Sequence, residues 1–214
     1  MGKGVNQLVI FLSVLTIVSA GIHWTSHVLA QSKDMAGSTR QEKRVVEEFT
    51  RTLGKSLKIF SVVVWKPKAD SDVRFVVAIT KDNNDLRPKL RVFEDTVKGY
   101  IEQLVVLVGD RPTKLYLKDI NGDGLTEALS FWDCGQSECI SIVRYDESTN
   151  SARELFFASG RSIELRSGRD GSTEIVTTRR TYKEKSGEPF TMATSIFRWN
   201  GSEFAEVRGE DSKK

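Results

Sequence analysis

Histidine is almost missing from this 214-residue chain: His23 and His27 are its only two, both within the first thirty residues. If those residues are a leader, the remainder has none, which excludes Ser-His-Asp and Cys-His catalysis and histidine-ligated metals. Cysteine is nearly as scarce. Cys134 and Cys139 are the only pair, in Asp-Cys-Gly-Gln-Ser-Glu-Cys. Their spacing is not C-x-x-C, which argues against a redox motif, and without a nearby histidine they cannot complete a zinc site. In an oxidising compartment the reading is a disulfide across a hairpin, contributing about 2 kcal/mol by the chain-entropy model. No G-x-x-x-x-G-K-[ST] loop is present to cradle a phosphate. A dominant charge sign is lacking too: the formal balance is +3, too small to imply a nucleic-acid partner. The local basic stretch Arg161, Arg166, Arg169, Arg179, Arg180, Lys183 and Lys185 is interleaved with Glu164, Asp170, Glu174 and Glu184, as on a solvated strand face. With 39% hydrophobic and 29% charged residues, what remains has the composition of an ordinary soluble domain.

The N-terminus carries one early cation, Lys3, then the apolar run Leu8-Val-Ile-Phe-Leu-Ser-Val-Leu-Thr-Ile-Val18. Small residues follow at Ser19 and Ala20, and Val28-Leu-Ala30-Gln31 offers a second cleavage-like site, so residues 1–30 have the form of a secretory signal. The competing reading is a retained anchor. Residues 5–22 as a helix would rise about 27 Å, marginally enough to cross a bilayer core, with Trp24 at the interface. Both readings put the bulk of the chain outside the cytoplasm, periplasmic or secreted. No cysteine near these sites supports a lipid anchor.

Residues 31–56 read as a spacer followed by an amphipathic helix. Thr39-x-x-Glu42 is a capping-box pattern, Val45, Val46, Phe49 and Leu53 form one apolar stripe, and Gly54 is placed to end the helix. From Leu57 to about residue 208 the pattern is β-branched and aromatic runs separated by turn residues. Twelve strands can be drawn: 59–65, 73–79, 90–93, 100–107, 114–119, 126–132, 139–145, 153–157, 161–166, 173–182, 191–199 and 203–208. Residues 209–214 read as a disordered tail. The fold class is therefore mainly β, about three antiparallel four-stranded meanders behind one amphipathic helix and an N-terminal hydrophobic segment.

The densest chemistry lies in Asp119-Ile-Asn121-Gly-Asp123-Gly124-Leu125-Thr-Glu127. Oxygen-bearing side chains fall at the first, third and fifth positions and a glycine at the sixth, a spacing that suits a hard cation such as Ca²⁺. The Leu125 carbonyl can add a backbone oxygen. An EF-hand would need a glutamate at position twelve, where Ser130 stands; the last carboxylate, Glu127, is at position nine. The flanks, Thr113–Lys118 and Ala128–Trp132, alternate or run apolar like strands. A metal loop between two strands follows, in place of one between helices.

The loop, its strand flanks and the later Phe197-Arg-Trp199-Asn200-Gly201 hairpin resemble FG-GAP or VCBS-type repeats, including the cation-binding blades of integrin α-subunit propellers. The resemblance implies Ca²⁺ held by Asp119, Asn121, Asp123, the Leu125 carbonyl and Glu127, with Glu127 departing from the commoner aspartate. Internal similarity supports a repeat. Phe93, Tyr145 and Trp199 each end a third strand before a polar turn, at spacings of 52 and 54 residues, in the range of propeller blades. Asp123-Gly-Leu-Thr-Glu127 recurs as Asp170-Gly-Ser-Thr-Glu174, with Arg166 and Gly168 where Asp119 and Asn121 would be, as in a loop that has lost its metal. The first unit keeps Asp70-Ser-Asp72, with Arg74 at the glutamate position. Three units are too few for a closed propeller, so an open fragment, a sandwich and a ring completed by oligomerisation all remain open.

These features imply a binding module without catalytic residues, Ca²⁺ stiffening a β-scaffold that contacts a protein or a glycan. The alternative is an accessory subunit of an envelope complex, tethered by residues 5–22 and capped by the β-domain.

Overall fold

In a computed structural model the described residues are 39–168, 172–181 and 191–207. The expected leader or anchor at 1–30, the expected spacer, Arg169, Asp170, Lys183, Glu184, Lys185 and the expected tail at 209–214 lie outside them. The chain divides into residues 1–43 and 44–214; of the first unit only 39–43, the cap and first turn of a helix, are described.

Helix α1 spans Arg40–Leu53, and its cap is the one the sequence predicts. Thr39 N–H donates to Glu42 Oε2 (2.7 Å) and Glu42 N–H to Thr39 Oγ1 (3.2 Å), satisfying two otherwise orphaned amides. At the other end Gly54 N–H donates to the Thr50 carbonyl, and a Cβ on Gly54 would stand 2.3 Å from that oxygen. Val45 and Phe49 are buried, while Lys43, Arg44, Glu47 and Arg51 face solvent.

Among its described residues the second unit has twelve strands in three antiparallel meanders: β1 (Leu57–Trp65), β2 (Phe75–Asp82), β3 (Lys89–Thr96) and β4 (Gly99–Val106); β5 (Arg111–Lys118), β6 (Glu127–Asp133), β7 (Glu138–Asp146) and β8 (Ser151–Gly160); β9 (Ser162–Ser167), β10 (Thr173–Thr181), β11 (Thr191–Trp199) and β12 (Phe204–Glu206). In each sheet, neighbours in sequence are neighbours in space, as hairpin connections dictate. The three sheets are separate and do not close into a barrel.

The first and second sheets each bury apolar residues on both faces because each face meets a different layer. Phe49 of α1 packs edge-on against Phe93 and Tyr100 of the first sheet at 5.1 and 5.0 Å. The opposite face of that sheet (Trp65, Phe75, Val77, Ile79, Leu90) joins Ala128, Trp132, Val143 and Tyr145 of the second, with Phe75 and Tyr145 centroids 5.7 Å apart. The far face of the second sheet (Leu129, Ile140, Ile142) joins Ile175, Phe197 and Phe204 of the third. Trp65, Trp132 and Trp199 are spaced by 67 residues twice, but they fall on β1, β6 and β11, so the even spacing reflects no repeat position.

Cys134 and Cys139 are bonded to each other in the β6–β7 hairpin, the position the sequence predicts. The bond fits an oxidising, extracytoplasmic compartment. No helix among the described residues is long and apolar enough to cross a membrane.

Candidate functional site

The site is the β5–β6 connection, residues 119–126, with Glu127 at the start of β6. Two glycines make the loop possible: Gly122 and Gly124 have φ of +77° and +84°, backbone that residues with a Cβ rarely adopt. Gly124 is the sixth-position glycine of the pattern. Asp119 sits at the centre of the turn, its Oδ1 accepting from Gly122 N–H (2.7 Å) and its Oδ2 from Gly124 N–H (3.0 Å). Asn121 Oδ1 accepts from Asp123 N–H and Asp123 Oδ1 from Leu125 N–H. The alternate side chains therefore turn toward the loop's own backbone, as the spacing implies.

Glu127 closes the loop from below. It is fully buried, with Oε2 accepting from Ile120 N–H at 3.1 Å and Oε1 approached by the Asn121 amide at 3.5 Å. Burial raises its pKa to about 7; the Ile120 bond and Arg144 oppose the rise, and the Asp123 and Asp119 charges add to it. Asp123 Oδ2 accepts from Asn121 Nδ2 and from Arg144 of β7, both at 3.0 Å. The Arg144 guanidinium also lies over the Trp199 ring of the third sheet, 5.6 Å from its centroid. The exit of the loop is clamped to the first sheet. Trp65 Nε1–H donates to the Thr126 carbonyl, Thr126 N–H to the Pro67 carbonyl and Thr126 Oγ1–H to the Lys66 carbonyl, at 2.8, 2.9 and 3.0 Å.

Asp119, Asn121, Asp123, Leu125 and Glu127 are thus brought to one hairpin end. In chemistry the donors suit a hard divalent cation: carboxylates, an amide oxygen and a backbone carbonyl, with a buried negative group beneath them. Among the described residues, however, no group of three or more His, Cys, Asp or Glu side chains is gathered so as to hold a metal. The physical reason is local: Asp119 is spent on backbone amides and Asp123 on Arg144. Arg144 is the functional neighbour that motif reading missed. Its signal was present in the recurrence of Glu127 with Arg144 as Glu174 with Arg198.

The third sheet clarifies that recurrence. Glu174 is buried between two guanidiniums, Arg166 Nε on Oε2 at 2.6 Å and Arg198 Nε on Oε1 at 2.5 Å, and Arg166 foremost holds its carboxyl below the usual range. Pairing sets Arg166 opposite Glu174 as Lys118 is set opposite Glu127, so Arg166 stands in the place of Lys118, one residue from where spacing alone put it. The first sheet departs further. Arg74 pairs with Asp95 at 2.6 Å, and Asp95 lies opposite Tyr100, which packs on α1. Arg74 therefore faces the helix, whereas Glu127 shares its face with Leu129, toward the third sheet. The two positions are not equivalent.

No family model, curated protein or solved structure matches the chain. The resemblance drawn from the sequence accordingly rests on the nonapeptide and the repeat spacing.

Proposed function

We propose that this chain is an extracytoplasmic β-domain of FG-GAP-like, propeller-type blades that works by binding, with one Ca²⁺ ordering the 119–127 loop. The observation that carries this reading is Glu127: a fully buried carboxylate beneath two further acidic side chains, its pKa raised to about 7. Negative charge concentrated and desolvated in this way is stabilised by a cation. Asp119, Asn121, Asp123, the Leu125 carbonyl and Glu127 would hold the ion. For this chain's own residues the consequences are specific. To hold an ion, Asp123 would have to leave Arg144 and Asn121 would have to present its amide oxygen in place of the nitrogen now bonded to Asp123. Arg144 keeps its contact with Trp199. The ion supplies charge neutralisation and loop order; a shell of protein oxygens suits that role better than activation of water. Loops ordered on a rigid scaffold are where recognition resides, which makes the module a binder and not a catalyst.

The test is calorimetric titration of chelator-stripped protein with Ca²⁺. The expected result is one site with Kd about 10⁻⁴–10⁻³ M, typical of extracellular modules, and no heat from Asp123→Ala. Absence of heat from the wild type, with a melting temperature indifferent to chelator, contradicts the reading.

A further inference from the structure

A second feature lies away from the calcium loop, near the opposite end of the β5–β6 hairpin. An open cleft of about 1110 Å³ separates that hairpin from β9 and the end of β10. This is slightly larger than the roughly 300–1,000 Å³ of ordinary ligand clefts. On its wall Tyr116 and Phe131 lie on the same face of adjacent strands, their rings within 8° of parallel and 6.0 Å apart. They lie diagonally, since Lys114 is the residue opposite Phe131 and Leu129 the one opposite Tyr116. The two half-buried, parallel rings form an apolar step in a cleft whose other apolar lining residues are Trp132, Ile163 and Leu165. Lys114 Nζ stands 4.6 Å from the Tyr116 ring centroid, a donor held directly above that step. One rim is the disulfide-closed turn: Gly135, Gln136, Ser137 and Glu138 all line the cleft and fall inside the ring that Cys134 and Cys139 close. Glu138 is fixed by accepting the Ile163 N–H at 2.8 Å, which ties this rim to the facing wall.

The charges in the cleft cancel by type: Lys114, Arg161 and Arg180 against Asp133, Glu138 and Glu164. A polyanion would meet three carboxylates and an acidic peptide likewise. An amphipathic helix would need a continuous apolar groove, and the apolar surface here is confined largely to the ring pair and the Ile163–Leu165 side of the wall. An uncharged ligand with one apolar face and many hydroxyls matches all three features. The apolar C–H face of a pyranose ring lies on an aromatic ring, and its hydroxyls meet carboxylates, amides and ammonium groups at the edges. We propose that this cleft binds a neutral oligosaccharide, with Tyr116 and Phe131 as the stacking platform and the disulfide-closed turn as one rim. The proposal names the ligand class of the binding module above and rests on that reading.

The experiment uses the isotopically labelled full-length protein with chitohexaose, cellohexaose, mannohexaose and laminarihexaose as neutral probes. A hexamer of galacturonic acid serves as the acidic probe. Amide and aromatic shifts are followed by NMR, and the sugar is chromatographed afterwards. The expected result is saturable binding of at least one neutral probe, with shifts centred on Tyr116, Phe131 and Gln136. Tyr116→Ala and Phe131→Ala should each weaken it by up to about tenfold, the scale of losing one aromatic contact. The wild-type shift map needs no variant and decides the site even if a platform variant misfolds. Binding accompanied by cleavage of the sugar supports the cleft's ligand class while overturning the non-catalytic reading. Failure of every neutral probe, preference for the acidic one, or shifts centred elsewhere overturns the proposal and leaves the calcium reading standing.

Discussion

Glu127→Gln gives the sharpest physical test of the loop, because its stabilising effect should shrink when calcium is present. In the folded protein the Glu127 carboxyl titrates near 7, against an ordinary value of 4.5. A raised carboxyl pKa means that the folded state holds its proton where the unfolded state has lost it. The associated stability is present in full below about pH 4.5 and is lost as pH rises toward 7 and beyond. At 1.36 kcal/mol per unit the full loss is about 3 kcal/mol, an upper figure because solvent penetration softens such burial. Without calcium, the wild type should therefore weaken between pH 5 and 7.5. Glutamine keeps an oxygen for the Ile120 N–H and carries no charge. The variant should consequently be flat over that window and more stable than the wild type at pH 7.5 in chelator, by about 1–3 kcal/mol. With calcium in excess the gap should narrow, since only the wild type gains RT ln(1 + [L]/Kd), about 0.4–1.4 kcal/mol at millimolar ion. Urea unfolding of both proteins at several pH values, with chelator and with calcium, measures this directly. A wild type as flat as the variant in chelator, or a variant less stable at pH 7.5, would refute the reasoning.

Other outcomes follow from the same contacts. Calcium affinity should fall as pH drops below 7, by up to about tenfold per unit, because the ion must displace the Glu127 proton; titrations at pH 6 and 8 check this. Glu174→Ala should cost about 1–3 kcal/mol in chemical denaturation, since two guanidiniums lose their shared buried acceptor, yet leave calcium heats unchanged. Because the Glu174 carboxyl is held low by Arg166 and Arg198, its contribution is present above the ordinary glutamate value and lost as pH falls from that value through the lower one of the folded state. Cys134→Ser with Cys139→Ser should cost about 2 kcal/mol, and alkylation of denatured, unreduced wild type should find no free thiol. Phe49→Ala should cost about 3–5 kcal/mol and raise amide exchange in α1 and the face of the first sheet beneath it.

The elements of this fold were legible because their periods differ so clearly. The Val45–Phe49 stripe and the Thr39–Glu42 cap specify a helix that ends at Gly54, and it spans the residues expected. All twelve strands occur, with boundaries displaced by a few residues. The largest shifts, three residues each, are at the ends of β2, β3 and β8 and the start of β5, where residues such as Lys81–Asp82 and Glu94–Thr96 are held by cross-strand pairing that hydrophobicity does not report. What spacing could not give was the face a side chain takes. Arg74 lies four residues after Asp70 as Glu127 does after Asp123, but strand alternation turns it toward the helix. Arg166 matched Asp119 by count and Lys118 by register, because the two hairpin loops differ in length. The 119–127 loop was readable as a set of oxygens; Arg144 was signalled only by the recurrence of its type near Glu174, and its hold on Asp123 depends on the pairing of β7 with β6. The Tyr116–Phe131 platform was invisible for the same reason, being a diagonal between strands.

The most direct test of the central claim is a crystal structure grown in about 5 mM Ca²⁺, above the expected Kd. The account predicts density for one ion, with oxygens of Asp119, Asn121, Asp123, Glu127 and the Leu125 carbonyl at roughly 2.3–2.6 Å, and Asp123 released from Arg144. A loop without an ion, with Asp123 still bonded to Arg144, would contradict it.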